Sequence, residues 1–208
     1  MNYFVTAIDT DSGKTLVSSV LCEALHADYW KPVQAGLPRD SENVQSLISN
    51  SKTKIHPERY LLKTPASPHA SAKIDGVKIN LSDFQIPQTK NDLIIEGAGG
   101  CLVPLNDKDF VIDLAGHFKT EIVLVADLYL GSINHTLLTL EALKSRDLKI
   151  KGIIFNGDSN PESERIILEH HKNIKKILHI NKETAVNKQL VQRYAIKLKE
   201  NWNARSSE

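Results

Sequence analysis

The chain has 208 residues, enough for one domain with a substantial core. Its 41% hydrophobic and 25% charged content is that of an ordinary globular protein and excludes a disordered or fibrous one. Lys and Arg number 26 against 25 acidic residues, a net charge of +1, which argues against general affinity for nucleic acid or an anionic membrane.

The first residues, Met1-Asn2-Tyr3-Phe4-Val5, lack a basic segment followed by a long apolar stretch, so a secretory signal is not expected. No apolar run approaches a membrane span; that over 122–126 is short. Cys22 and Cys101 have neither metal-ligand nor redox spacing and read as structural thiols of a reducing cytoplasm.

Strand and helix patterns alternate along the chain. Residues 3–8 form a β-rich apolar run leading into Asp9-Thr10-Asp11-Ser12-Gly13-Lys14-Thr15, and a helical face of Leu16, Val20, Leu21 and Ala24 follows. Tyr29 and Trp30 make a short strand ending at Lys31-Pro32, and 41–49 reads as a helix with Val44, Leu47 and Ile48 apolar. The stretch 52–88 is the least regular and is expected to hold loops and one or two short helices. Leu93-Ile94-Ile95 is the continuous apolar run of a strand covered on both faces, and it stops at Glu96-Gly97-Ala98-Gly99-Gly100. Residues 122–126 and 150–155 are further buried strands and 177–180 a weaker last one. Helices are expected over 133–143 and 161–171. This alternation predicts an α/β fold, a mostly parallel sheet with helices on both faces. One domain spans 1–200, and 201–208 is a polar tail of the kind that is often disordered.

Gly13-Lys14-Thr15, between a strand and a helix, is where a phosphate-binding loop belongs. Inward-facing N–H groups, a helix N-terminus and a Lys ammonium hold polyphosphate, and the Thr15 hydroxyl would ligate Mg²⁺. The usual loop carries a glycine five positions before Gly13, where this chain has Ile8. Placement after the first strand nonetheless points to a P-loop NTPase-like domain.

In an open α/β sheet, ligands bind beyond the carboxyl ends of the strands, and the notable residues gather there. Glu96 ends an apolar strand, where an unpaired carboxylate is costly, so a metal ion or a lysine should compensate it. Gly97, Ala98, Gly99 and Gly100 form a side-chain-poor segment that could lie against a ligand. Lys31, followed by a proline that fixes the backbone, is either a cation of the same cleft or a solvated surface residue. Asp40 and Glu42 open a helix, and either could reach a metal. Ser132-Ile133-Asn134 begins another, whose free N–H groups could hold a carboxylate. The eight histidines show no metal-ligand spacing, and His170 and His171 point in different directions, so they read as surface residues.

Together these residues resemble dethiobiotin synthetase over nearly the whole chain. The matching stretches are Tyr3-Phe4-Val5-Thr6 leading into Asp9-Thr10 and Gly13-Lys14-Thr15, Lys31-Pro32-Val33, Ser67-Pro68-His69, Glu96-Gly97-Ala98-Gly99-Gly100, and Leu130-Gly131-Ser132-Ile133-Asn134-His135. The resemblance implies a homodimer that makes dethiobiotin from 7,8-diaminononanoate, carbon dioxide and ATP. By motif match, Lys14 would stabilise the transferring phosphoryl group and Lys31 the carbamate. Thr15 and Glu96, with Asp40 or Glu42, would hold Mg²⁺. ATP would lie along Asp9, Thr10, Asp11, Ser12, Gly13, Lys14 and Thr15, with Glu96, Gly97, Ala98 and Gly99 beside it and Asn156 at adenine. The diamine would meet Thr10, Lys31, Ala35 and Gly99, with Leu130, Gly131, Ser132, Ile133 and Asn134 reaching it from the neighbouring subunit.

The chain departs from the family pattern at three places. Ala7 stands for a loop glycine, which implies a different backbone before Asp9. Ala35 stands where many members carry a hydroxyl, so that a substrate hydrogen bond is either lost there or supplied by Gln34 or water. The stretch 37–43 has no unique alignment, which leaves Asp40 and Glu42 in competition. Two rival readings share the fold. One is another ATP-dependent ligase, such as a cobyrinate-amidating domain. The other is a nucleotide-switch ATPase of the partitioning or septum-positioning type, but those proteins carry an extra lysine four positions before the loop glycine, where this chain has Asp9.

Overall fold

Successive side chains of a strand point to opposite faces, and the first strand uses both. Along β1 (Asn2–Ala7), Tyr3, Val5 and Ala7 enter one apolar core and Phe4 enters the other. The structure, a computed structural model, describes residues 1–202. After β1 come α1 (Lys14–Leu25), β2 (Asp28–Trp30), β3 (Val33–Ala35), α2 (Asp40–Leu47), β4 (Ile55–His56), β5 (Tyr60–Leu62) and α3 (Pro68–Ile74). The second half adds β6 (Leu93–Glu96), α4 (Asp113–Phe118), β7 (Glu121–Asp127), α5 (Ser132–Lys144), β8 (Ile150–Asn156), α6 (Pro161–His170), β9 (Lys176–Ile180) and α7 (Lys188–Trp202).

The main sheet has the order β4-β2-β6-β1-β7-β8-β9, and all its pairings are parallel. Every carboxyl end therefore lies on one rim. The chain first builds outward from β1 on one side and then crosses to the other, so β1 sits where the winding reverses. That reversal opens a crevice at the rim of β6, β1 and β7.

The two faces bury separate cores. Helices α1 and α7 cover one, where Val17, Leu21, Tyr194 and Leu198 meet Val5, Tyr29 and Ile94. The other gathers Trp30, Ile95, Ile112, Leu140, Phe155 and Ile167 beneath α4, α5 and α6. Each such side chain contributes roughly 1.5–3 kcal/mol on burial, which fixes the strand register that carries the rim residues.

Expected elements recur with small shifts at their ends; β3 and α4 have no counterpart among them, and three further features differ. Helix α7 was not expected, although Leu190, Val191, Tyr194 and Leu198 repeat at helical spacing and are buried. It runs through Asn201 and Trp202, two residues into the stretch read as a tail; 203–208 lie outside the described residues. The stretch 52–88 holds α3 and a 3₁₀ turn (Leu81–Asp83), but also β4 and β5, the latter paired with β3 in a small second sheet. Histidines are not all surface groups: His56 bonds buried Asp28, His179 bonds buried Glu164, and His171 is half-buried beside Glu141.

Candidate active site

The turn from β1 to α1 is a cradle closed by its own lysine. Gly13 takes a left-handed backbone (φ 93°) at the start of α1, a conformation that costs glycine little. Nζ of Lys14 folds back to donate to the carbonyls of Asp9 (3.0 Å) and Thr10 (2.8 Å). Asp9 N–H donates to Ser12 Oγ at 3.2 Å, while Thr10 and Asp11 are exposed. Ala7 stays extended inside β1, and Ile8 N–H continues the ladder by donating to Val125 O at 3.1 Å. No glycine is needed at either position, because the strand simply continues to the loop.

Beside the loop, Glu96 is buried to 1% exposure and bound on all sides. Its Oε1 accepts from the Thr15 hydroxyl (3.0 Å) and from the Lys31 ammonium (3.0 Å), and its Oε2 accepts from the buried Tyr29 hydroxyl (3.0 Å). Lys31 also donates to Gly97 O at 3.3 Å and forms an ion pair with Asp40. Lys31 is thus a cation of the cleft, not a solvated residue. Asp40 is held by Gln34, whose Oε1 accepts from Asp40 N–H at 3.1 Å while its Nε2 donates to Gly36 O at 3.2 Å. Gln34 lines the cleft beside Ala35, and these two bonds use one of its two amide hydrogens and one acceptor position.

A cleft of about 550 Å³ unites these parts. Thr10, Asp11, Gly13, Lys14, Thr15, Lys31, Ala35, Asp40, Glu96, Ala98 and Gly99 line it. Ser12 and Gly97 are buried outside that lining, whereas Asp9, next to Thr10, is exposed. Asn156, at the end of β8, donates from Nδ2 to Ser12 O at 3.0 Å and so braces the loop from outside. Glu42 faces elsewhere: it is paired with Arg39 at 2.6 Å, its side chain is 55% exposed, and it borders a different groove. Leu130, Gly131, Ser132, Ile133 and Asn134 also lie outside the cleft. Leu130 is fully exposed, and the buried Ser132 hydroxyl has no hydrogen-bond partner among the described residues.

Electrostatics distinguish the two lysines. Burial pushes Lys14 down to about 8, and the neighbouring Lys31 charge adds to that, against the pull of Glu96, Asp40 and Asp11. Lys31 also suffers from burial, but Glu96 and Asp40 outweigh it and raise its value. Burial, with Glu96 alongside, holds Tyr29 well above its ordinary value, so it donates as a neutral phenol. Thr15, Glu96 and Asp40 offer the hard oxygen atoms that Mg²⁺ takes. A single cation, the Lys31 ammonium, already binds both carboxylates, so these residues fit a divalent ion. Among the described residues no three His, Cys, Asp or Glu side chains form a complete metal cage. An ion here would share its shell with water or phosphate, as Mg²⁺ commonly does.

Tyr29 and the wall from Pro65 to Pro68 carried no expected role. Tyr29, in β2, and Lys31, directly after the strand, stand two residues apart and both reach Glu96.

Residues 1–189 match the family model described as an AAA domain. An ATP-dependent dethiobiotin synthetase BioD of Cytophaga hutchinsonii is 57% identical over 202 residues, covering 96% of this chain and 98% of that protein. One of Christiangramia forsetii is 46% identical over 200 residues, covering 95% and 96%. The chain belongs to the dethiobiotin synthetase family. Its fold is also that of a ParA family ATPase from Chlorobium tepidum (TM-score 0.58, 13% identity, 94% of this chain and 97% of that one). The septum site-determining protein MinD from Pyrococcus horikoshii, complexed with Mg-ADP, has a TM-score of 0.54 at 14% identity, covering 97% and 93%. At that distance the likeness is one of fold alone.

Proposed function

We propose that the protein is an ATP-dependent ligase that closes a cyclic urea on 7,8-diaminononanoate. One amine adds to carbon dioxide and loses a proton to give a carbamate. A carbamate oxygen attacks the γ-phosphorus of ATP, and ADP leaves. The second amine then attacks the carbonyl carbon of the mixed anhydride, phosphate departs, and the ring closes to dethiobiotin. Phosphoryl transfer of this kind needs placement and charge neutralisation more than covalent help.

One observation carries the reading: Lys14 and Lys31 line the same cleft, close enough that the charge of one lowers the other. Lys14 would leave the loop carbonyls for the γ-phosphate, and Lys31 would leave Glu96 for the carbamate. Thr15, Glu96 and Asp40 would hold Mg²⁺, which neutralises phosphate charge when bound. Glu42, turned to Arg39, would not. Asn156 would border the adenine, and Asp9, Thr10, Asp11, Ser12, Gly13, Gly97, Ala98 and Gly99 the rest of the nucleotide path. Exposed Tyr129, Leu130 and Leu138 support a homodimer in which Leu130, Gly131, Ser132, Ile133 and Asn134 reach the partner's diamine. Among the described residues no helix is long and apolar enough to cross a membrane.

The test supplies the diamine, ¹³C-bicarbonate and Mg-ATP. Labelled cyclic urea, ADP and phosphate are expected in equal amounts. ATP hydrolysis unchanged by the diamine, with no cyclic product, would favour a nucleotide switch instead.

A further inference from the structure

A second cluster of buried charge lies at the far side of the loop and has no part in the chemistry described above. Glu164, on α6, is 5% exposed, yet it bonds two groups of β9. Its Oε2 accepts from Lys176 Nζ at 2.5 Å, and its Oε1 lies 2.7 Å from His179 Nδ1. The other ring nitrogen, His179 Nε2, is 3.0 Å from the carbonyl oxygen of Gly157. A carbonyl can only accept, so Nε2 donates.

Gly157 is the residue after Asn156, the residue that braces the phosphate loop. The contact is close: a β-carbon built on Gly13 would stand 2.4 Å from Asn156 Nδ2. Gly157 itself has φ 102°, a conformation glycine adopts freely but does not hold by itself. The turn is held from outside by two bonds to β9, Gly157 N–H to Ile180 O at 2.9 Å and His179 Nε2 to Gly157 O. The backbone bond belongs to the sheet, whereas the side-chain bond depends on His179 and on Glu164 behind it.

We infer that His179, oriented by Glu164, is a positioning residue for nucleotide binding: it pins the turn after β8 so that Asn156 holds Ser12 and Gly13 in their phosphate-binding shape. The inference rests on the reading of the cleft as an ATP site. It separates ATP binding from ring closure, because His179 touches neither Lys14, Lys31 nor Glu96.

Two substitutions of similar polarity separate the roles of the two ring nitrogens. His179→Gln places an amide N–H near the Nε2 position and keeps the donor to Gly157. His179→Asn reaches only to the Nδ1 position and loses that donor. In the full-length protein, His179→Asn should raise the Kd and KM for ATP about tenfold, the effect of one lost hydrogen bond of ordinary strength. His179→Gln should stay within about threefold of wild type. Neither should change kcat at saturating ATP or the KM for the diamine by more than about twofold. Equal ATP affinity in the two variants, or losses that follow their melting temperatures and fall alike on ATP, diamine and kcat, would reduce His179 to a structural role. A wild-type protein that binds no ATP would instead overturn the reading on which the inference rests.

Discussion

Strands β2 and β6 lie side by side, and each carries a buried carboxylate at 1% exposure: Asp28 at the amino end of one, Glu96 at the carboxyl end of the other. Their partners differ in kind. Asp28 accepts from the backbone N–H of Lys54 (3.0 Å), from Asn91 Nδ2 (2.9 Å) and from His56 Nε2 (2.9 Å), groups locked into the sheet and its turns. Burial alone would raise its pKa, but these hydrogen bonds, with Thr89, hold it below the ordinary value. Glu96 is met by an ammonium and two hydroxyls, and the Lys31 and Thr15 side chains among them line the cleft. Burial of a carboxylate therefore does not mark a site. Glu96 differs in that two of its partners line a cleft.

The sharpest way to break this comparison is to remove the two lysines that line the cleft. Lys31→Ala and Lys14→Ala should each lower ring closure by about a thousandfold or more, as measured by product formation. The fold should survive. Lys14 titrates near 8 in the folded protein against an ordinary 10.5, so between those values the unfolded chain binds more protons and stability rises with pH. At pH 7 the charged, buried Lys14 therefore costs stability, and Lys14→Met should not lower the melting temperature of the nucleotide-free protein. A clear drop would place Lys14 among the structural groups, with Asp28.

Asp28→Ala should show the reverse. Leaving the Lys54, Asn91 and His56 donors unpaired should destabilise the protein by about 2–4 kcal/mol, with ring closure near wild type at low temperature. Because its folded pKa is depressed, the stabilisation by Asp28 is present above the unfolded value and is lost as pH falls through the folded one. The deficit of the variant, measured by denaturant titration, should therefore shrink on acidification. A deficit that grows would contradict that assignment.

The smallest effect is expected at Glu42. Glu42→Gln should leave the Mg²⁺ dependence of the reaction within about twofold, whereas Asp40→Asn should shift it clearly. Equal shifts would return Glu42 to the site.

These contrasts show what was legible in the sequence. Apolar runs ending at Asp9, Lys31 and Glu96 betrayed both the parallel sheet and its binding rim, since a strand covered on both faces has little other reason to stop at such residues. Asp40 and Glu42 could not be separated that way. Both lie in the first turn of α2, and only the helical twist, about 200° over two residues, sends one to the cleft and the other to Arg39. Tyr29 was hidden because a tyrosine within an apolar strand reads as core, and its hydroxyl shows its purpose only once Glu96 lies opposite. Strands β3, β4 and β5, of two or three residues, are too short to carry a period. Helix α7 does carry one, in Leu190, Val191, Tyr194 and Leu198.

In the proposed site, the Lys31 ammonium stands where a divalent ion would sit and would give way when nucleotide arrives. A crystal structure with Mg²⁺ and a non-hydrolysable ATP analogue tests it most directly. The ion should touch Thr15 and Glu96 together with phosphate oxygens, with Lys14 on the γ-phosphate and Lys31 turned from Glu96 toward the same point. An analogue bound with the Lys31–Glu96 bond intact and no ion beside Glu96 would contradict it.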